Sequence, residues 1–130
     1  MTTSTVSEIL ATRLATLPIP VAPENGNYTP VAGTTYLRET MLGDLTQHRP
    51  VAGGARSNRT GLWQVTVMAA KDGTRKPGRL AAEQIEALFP AAWRGSKAGV
   101  TVAIRQTTIG SSFMVGDRYA VPITIDWFAS

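Results

Sequence analysis

The run Leu62-Trp63-Gln64-Val65-Thr66-Val67-Met68 limits what this chain can become more than any other stretch. Side chains alternate across a strand, so Trp63, Val65 and Val67 go to one face and Leu62, Gln64, Thr66 and Met68 to the other. A basic turn follows, Lys71-Asp72-Gly73-Thr74-Arg75-Lys76-Pro77-Gly78. Residues 79–89 then read as a helix stopped by Pro90. That helix carries Ala81 or Ala82, Ile85, Leu88 and Phe89 on one side, with Glu83 and Glu86 towards the other. Strand, basic turn and helix form one unit, and the rest of the chain is expected to build a sheet around it.

Upstream, Thr5-x-x-Glu8 fits a capping box. Val6, Ile9, Leu10, Leu14 and Leu17 follow as a single apolar stripe. The pattern predicts a helix over about 4–16, ended by Pro18; such a stripe suits packing on the chain's own sheet better than a partner-binding face. Residues 18–34 contain Pro18, Pro20, Pro23, Pro30, Gly26 and Gly33. They read as a surface connection with a turn at Glu24-Asn25-Gly26-Asn27 and room for a short edge strand at 19–21. Residues 34–42 predict a strand with Leu37, Glu39 and Met41 on one face and Tyr36, Arg38, Thr40 and Leu42 on the other. Charge on both faces belongs at a sheet edge or between subunits, so Tyr36, Arg38, Glu39 and Thr40 are candidate intersubunit residues.

Residues 43–61 hold Pro50, Gly53, Gly54, Gly61 and three arginines. They read as a long loop, an arm that orders against a partner. Neither a Walker pattern nor G-x-G-x-x-G is present, which argues against a nucleotide cradle. Beyond Pro90, Trp93 is expected to pack beneath the helix end, although an aromatic beside Arg94 also has the makings of a base-stacking platform. Three strands close the chain. Val100, Val102 and Ile104 alternate with Thr101, Ala103 and Arg105; a short strand is expected at 112–115 before a Gly116-Asp117 turn; and the last strand, 119–128, turns Val121, Ile123, Ile125 and Trp127 to the core.

The order of elements predicts an α+β fold: a mainly antiparallel sheet of about five or six strands with two helices on one face. At 130 residues the chain fits a single domain spanning 1–130. No apolar run reaches the roughly 18–20 residues a membrane helix needs. The N-terminus has neither a basic n-region nor an apolar h-region, so no signal peptide is expected. Cysteine is absent, which excludes disulfides, thiol catalysis and thiolate metal sites.

The net charge of +4 is unevenly placed. Residues 49–79 contain Arg49, Arg56, Arg59, Lys71, Arg75, Lys76 and Arg79 against one acid, Asp72. A concentration of this kind points to nucleic acid or an acidic protein surface as neighbour. The lone histidine, His48, has no His, Cys or carboxylate at ligand spacing and reads as an exposed loop residue. The carboxylates are scattered, with no pair marked by spacing as an acid–base couple. No catalytic, cofactor-binding or metal residue is nominated, and no enzyme is expected.

Several of these pieces together resemble the tail terminator proteins of long-tailed bacteriophages and prophages, and the head–tail joining proteins related to them. The residues concerned are the first helix with Ile9, Leu10 and Leu14; Gly61-Leu62-Trp63-Gln64-Val65-Thr66-Val67 with the glycine-containing turn after it; 82–89, ending Leu88-Phe89; and Tyr119-Ala120-Val121-Pro122-Ile123-Thr124-Ile125. The resemblance spans about residues 4–128. It implies a hexameric ring that caps the tail tube, stops its polymerisation and offers a surface to the head-completion protein. It also implies a place in the virion tail, assembly in the host bacterial cytoplasm, and no catalytic residues or cofactor. Arg49, Arg56, Arg59, Lys71, Arg75 and Lys76 would then face a neighbouring ring, with transient contact to DNA in the channel as a further possibility. A ring of cations gripping phosphate would hold DNA back, which favours protein as their partner. The alternatives are another head–tail connector or neck protein, and a basic nucleic-acid-binding module using 49–79.

Overall fold

A computed structural model describes residues 3–22, 35–51, 54–70, 76–116 and 118–129. Helix α1 spans Thr3–Leu14. The short strand β1, Val21–Ala22, leads to two long strands, β2 at Tyr36–Val51 and β3 at Gly54–Ala70. Helix α2, Lys76–Leu88, is followed by β4 (Arg94–Lys97), β5 (Val100–Ile109), β6 (Phe113–Val115) and β7 (Arg118–Ala129).

All seven strands belong to one sheet, ordered β1-β2-β3-β7-β5-β4, with β6 also paired to β7. Only the β1–β2 pair is parallel. β7 shares the centre with β3: it pairs with β3 along Arg118–Ala129, and with β5 and β6 on its other side. Both helices contribute to one core on one face of this sheet. Val6, Leu10 and Leu14 of α1, Ala82 and Ile85 of α2 and Phe89 just after it close over Trp63, Val65, Val67, Ile123, Ile125 and Trp127. Phe89 sits edge-on between Trp63 and Trp93, at 5.7 Å from each. The expected α+β class, helix placement and core faces of the long strands all hold. On the opposite face a small cluster gathers Ala22, Tyr36, Met68 and Ala120.

Four expectations are revised. The first helix begins ahead of Thr5, and the Glu8 carboxylate accepts from Lys97 Nζ at 2.8 Å, tying α1 to β4. The supposed loop 43–61 is mostly ladder: β2 and β3 stay in antiparallel register from Tyr36↔Met68 to Val51↔Gly54, with a bulge between Met41 and Gly43. Backbone pairing forms that ribbon although its side chains lack strand alternation. The second helix starts at Lys76, inside the expected basic turn, since Pro is tolerated in a first helical turn. Finally, β4 was not foreseen, and β5 runs on to Ile109. A bulge between Ile104 and Gln106 shifts the inward phase from Val100, Val102 and Ile104 to Thr107 and Ile109. The Thr107 hydroxyl donates to the Phe89 carbonyl at 2.7 Å, fixing the end of α2 to the sheet.

Candidate functional site

Three strand edges have no further strand partner among the described residues, those of β2 past Arg38, of β6 and of β4, and the candidate surfaces lie at the first two. On the first side β1 covers only Leu37 and Arg38 of β2. From Glu39 onwards the outer edge of β2 has no strand partner among the described residues. Of the expected intersubunit residues, Tyr36 is 3% exposed and lies under the Arg118 guanidinium, 4.8 Å from its ring. Arg118 also donates to the Met68 carbonyl. Arg38 is exposed, and Glu39 and Thr40 are half-buried. The open edge thus begins at Glu39 and continues through Leu42, a bulged residue 49% exposed.

Beyond the pair Arg59↔Ala129, β3 loses contact with β7. Residues 47–51 and 54–58 then pair only with each other, as a two-stranded ribbon. The register sets Arg49 directly opposite Arg56 and Thr46 opposite Arg59. His48 lies opposite Ser57 within this ribbon, so it is a strand residue rather than a loop residue.

The basic region does not converge. Arg49, Arg56 and Arg59 lie at one end of β3, whereas Lys76 opens α2 beyond its other end. The eleven steps from Arg59 to Ala70 span roughly 36 Å at about 3.3 Å per residue. Lys71 and Arg75 fall outside the described residues.

On the second open side, β6 pairs only with Arg118–Ala120 of β7. Its three residues are all apolar and all exposed: Phe113 and Met114 at 49%, Val115 at 44%. Sequence reasoning placed this strand but gave it no role; a run without a polar face was the available signal. Beside it, between α2 and the chain entering β6, is a cavity of about 520 Å³. Arg79, Glu83, Ser111, Ser112 and Tyr119 line its polar wall. The Ser112 hydroxyl is hydrogen-bonded to the Tyr119 hydroxyl.

Trp93 is half-buried against the core, with Phe89 on one side and the Arg13 guanidinium 5.3 Å from its ring. Arg13 Nε also donates to the Leu88 carbonyl at 3.2 Å, so the pair staples α1 to the end of α2. Both ring contacts are internal, which leaves little of Trp93 for stacking on a base. Among the described residues no group of three or more His, Asp or Glu side chains is arranged to hold a metal ion. No helix is long and apolar enough to cross a membrane among the same residues.

The family model described as phage tail terminator protein matches residues 5–127. One solved structure, whose designation carries no function, superposes with a TM-score of 0.80 at 23% identity, over 100% of this chain and 96% of its own. That likeness shows a shared fold. No curated protein matches the chain. The match over nearly its whole length is decisive: the chain belongs to the phage tail terminator family and is a structural component of a phage tail.

Proposed function

We propose that this protein forms a ring, hexameric by analogy with the family it resembles, that seats on the end of a finished tail tube. There it stops further polymerisation and presents the surface to which the head-completion protein attaches. The match across residues 5–127 carries this reading. The architecture supports it: an open β2 edge offers a subunit somewhere to join its neighbour, and the ribbon 47–58 extends past the sheet towards an adjoining ring. In this reading Arg49, Arg56 and Arg59 meet an acidic protein surface, Lys71, Arg75 and Lys76 are available to a second partner, and assembly takes place in the host cytoplasm.

The test is negative-stain electron microscopy of the concentrated protein with light scattering on the same sample, followed by addition to purified, uncapped tail tubes. Closed rings of about six subunits, or arrest of tube growth, are expected. Protein that neither closes into rings nor halts tubes overturns the reading. The rival, DNA binding through the ribbon, requires salt-sensitive affinity that Arg56→Ala with Arg59→Ala abolishes; an unchanged affinity in that double variant removes it.

A further inference from the structure

β4 supplies the third free edge of the sheet: its outer side has no strand partner among the described residues. The turn at Ala98-Gly99 closes on the pair Lys97↔Val100. A two-residue turn of this kind is flanked by a pair that exchanges backbone hydrogen bonds, and bonded and non-bonded pairs alternate along an antiparallel ladder. Gly95↔Val102 is therefore a bonded pair as well, and the Ile104 N–H, donating to the Trp93 carbonyl at 2.9 Å, keeps the same phase. Arg94 and Ser96 are left with their N–H and C=O groups directed outward, a template for one more strand.

The surroundings say what kind of strand fits. Gly95 and Lys97 face α1: the first abuts Ile9, and the second reaches Glu8. Beside that contact, between α1 and β4, opens a recess of about 320 Å³ with Ile9, Trp93 and Gly95 in its lining. The charged residues that line it, Arg13 and Lys97, are both cations. Lys97 stays 56% exposed while paired with Glu8, and a surface pair of this sort is weak, so its ammonium can take a second carboxylate. Arg94 lies on the opposite face of the strand, exposed, and makes no hydrogen bond or ion pair among the described residues. Charge of one sign along a free edge turns away basic strands and admits an acidic one.

We infer that the β4 edge receives an extended acidic segment of a partner protein as an added strand. Main-chain hydrogen bonds to Arg94 and Ser96 hold the segment, and alternate side chains give it specificity. Opposite Gly95 it carries an apolar residue, which enters the recess by Ile9 and Trp93. Opposite Lys97 and opposite Arg94 it carries carboxylates, which meet the ammonium on one face and the guanidinium on the other. The inference stands apart from the ring reading, because binding at β4 requires no ring.

Two synthetic peptides are the probes: Thr-Val-Glu-Thr-Leu-Glu-Val-Thr for an antiparallel strand and Thr-Val-Glu-Leu-Thr-Glu-Val-Thr for a parallel one. Binding is followed by the amide NMR shifts of the isotopically labelled full chain. The expected result is a saturable shift of residues 93–97 and of α1 with one peptide of the two, weakened by salt and absent when both glutamates are replaced by lysine. Arg94→Glu, at an exposed position, leaves the fold intact and should lower the affinity about tenfold. Ser96→Pro removes an outward N–H while sparing the bonds to β5, and should lower it at least as much. No saturable shift from either peptide, equal binding of the lysine versions, or affinity unchanged by Arg94→Glu overturns the inference. Protection of the Arg94 and Ser96 amides in the free protein, lost together with self-association in Arg94→Glu, assigns the edge to a second copy of this chain and also overturns it.

Discussion

A methyl group added at Gly95 would lie 2.6 Å from Trp93 Cη2 and 2.9 Å from Ile9 Cγ2. The glycine is there because α1, β4 and the Trp93 ring meet at one point with no volume to spare. Gly95→Val forces either the indole or the helix to move, and overpacking of this kind costs about 1–3 kcal/mol. Chemical denaturation followed by tryptophan fluorescence should report both the loss and a changed Trp93 environment. Val65 is the complementary case, fully buried between its β7 partner Ile123 and the helices. Val65→Asp would bury an unpaired carboxylate where no donor awaits it, at roughly 3–5 kcal/mol. A thermal melt of that variant matching the parent would mean that the inward face of β3 has been misassigned. The core role of Val65 is legible in sequence, since alternation alone names it. The role of Gly95 is not, because a glycine signals nothing about which distant ring approaches it.

At the scale of elements, the turn joining β4 to β5 has positive φ at both central residues, 51° at Ala98 and 80° at Gly99. Two-residue hairpins favour this conformation because its twist suits the flanking strands, and they usually fill it with Asn-Gly. Alanine pays for its β-carbon there, so Ala98→Asn should raise stability by about 0.5–1 kcal/mol, measurable as a higher denaturation midpoint. The same detail explains why β4 escaped sequence reasoning: Ala-Gly is a weak turn signal, and exposed Arg94-Gly95-Ser96-Lys97 shows no apolar alternation. The ends of β5 and of the 34–42 strand were misread for another reason. Each contains a bulge, at Arg105 and at Leu42, that inserts one residue and inverts the phase of everything after it. Long strands with unbroken period, such as β7, were read almost residue for residue.

Across the whole molecule, the unpaired edges of β2, β4 and β6 are properties of strand order, and no local pattern encodes which strands become neighbours. The mixed faces of the 34–42 strand point to an edge, whereas the free edge at β6 emerges only once β7 is seen between β3 and β6. The same distances separate the basic residues into two groups. Because Arg59 and the far end of β3 are roughly 36 Å apart, Arg56→Ala with Arg59→Ala and Lys76→Ala should act independently. Their effects on capping of tail tubes are expected to add within about 0.5 kcal/mol when combined. A strongly non-additive result would show that both groups touch one partner.

β7 holds the centre of the sheet yet comes last of the described strands in chain order. Without residues 118–129, β3 and β5 have no strand between them, and β6 has nothing to pair with among the described residues. The ladders β1-β2-β3 and β5-β4 would then be two separate pieces. The sheet is one cooperative unit only through this strand, so a chain cut before residue 118 should fail to fold rather than fold less stably.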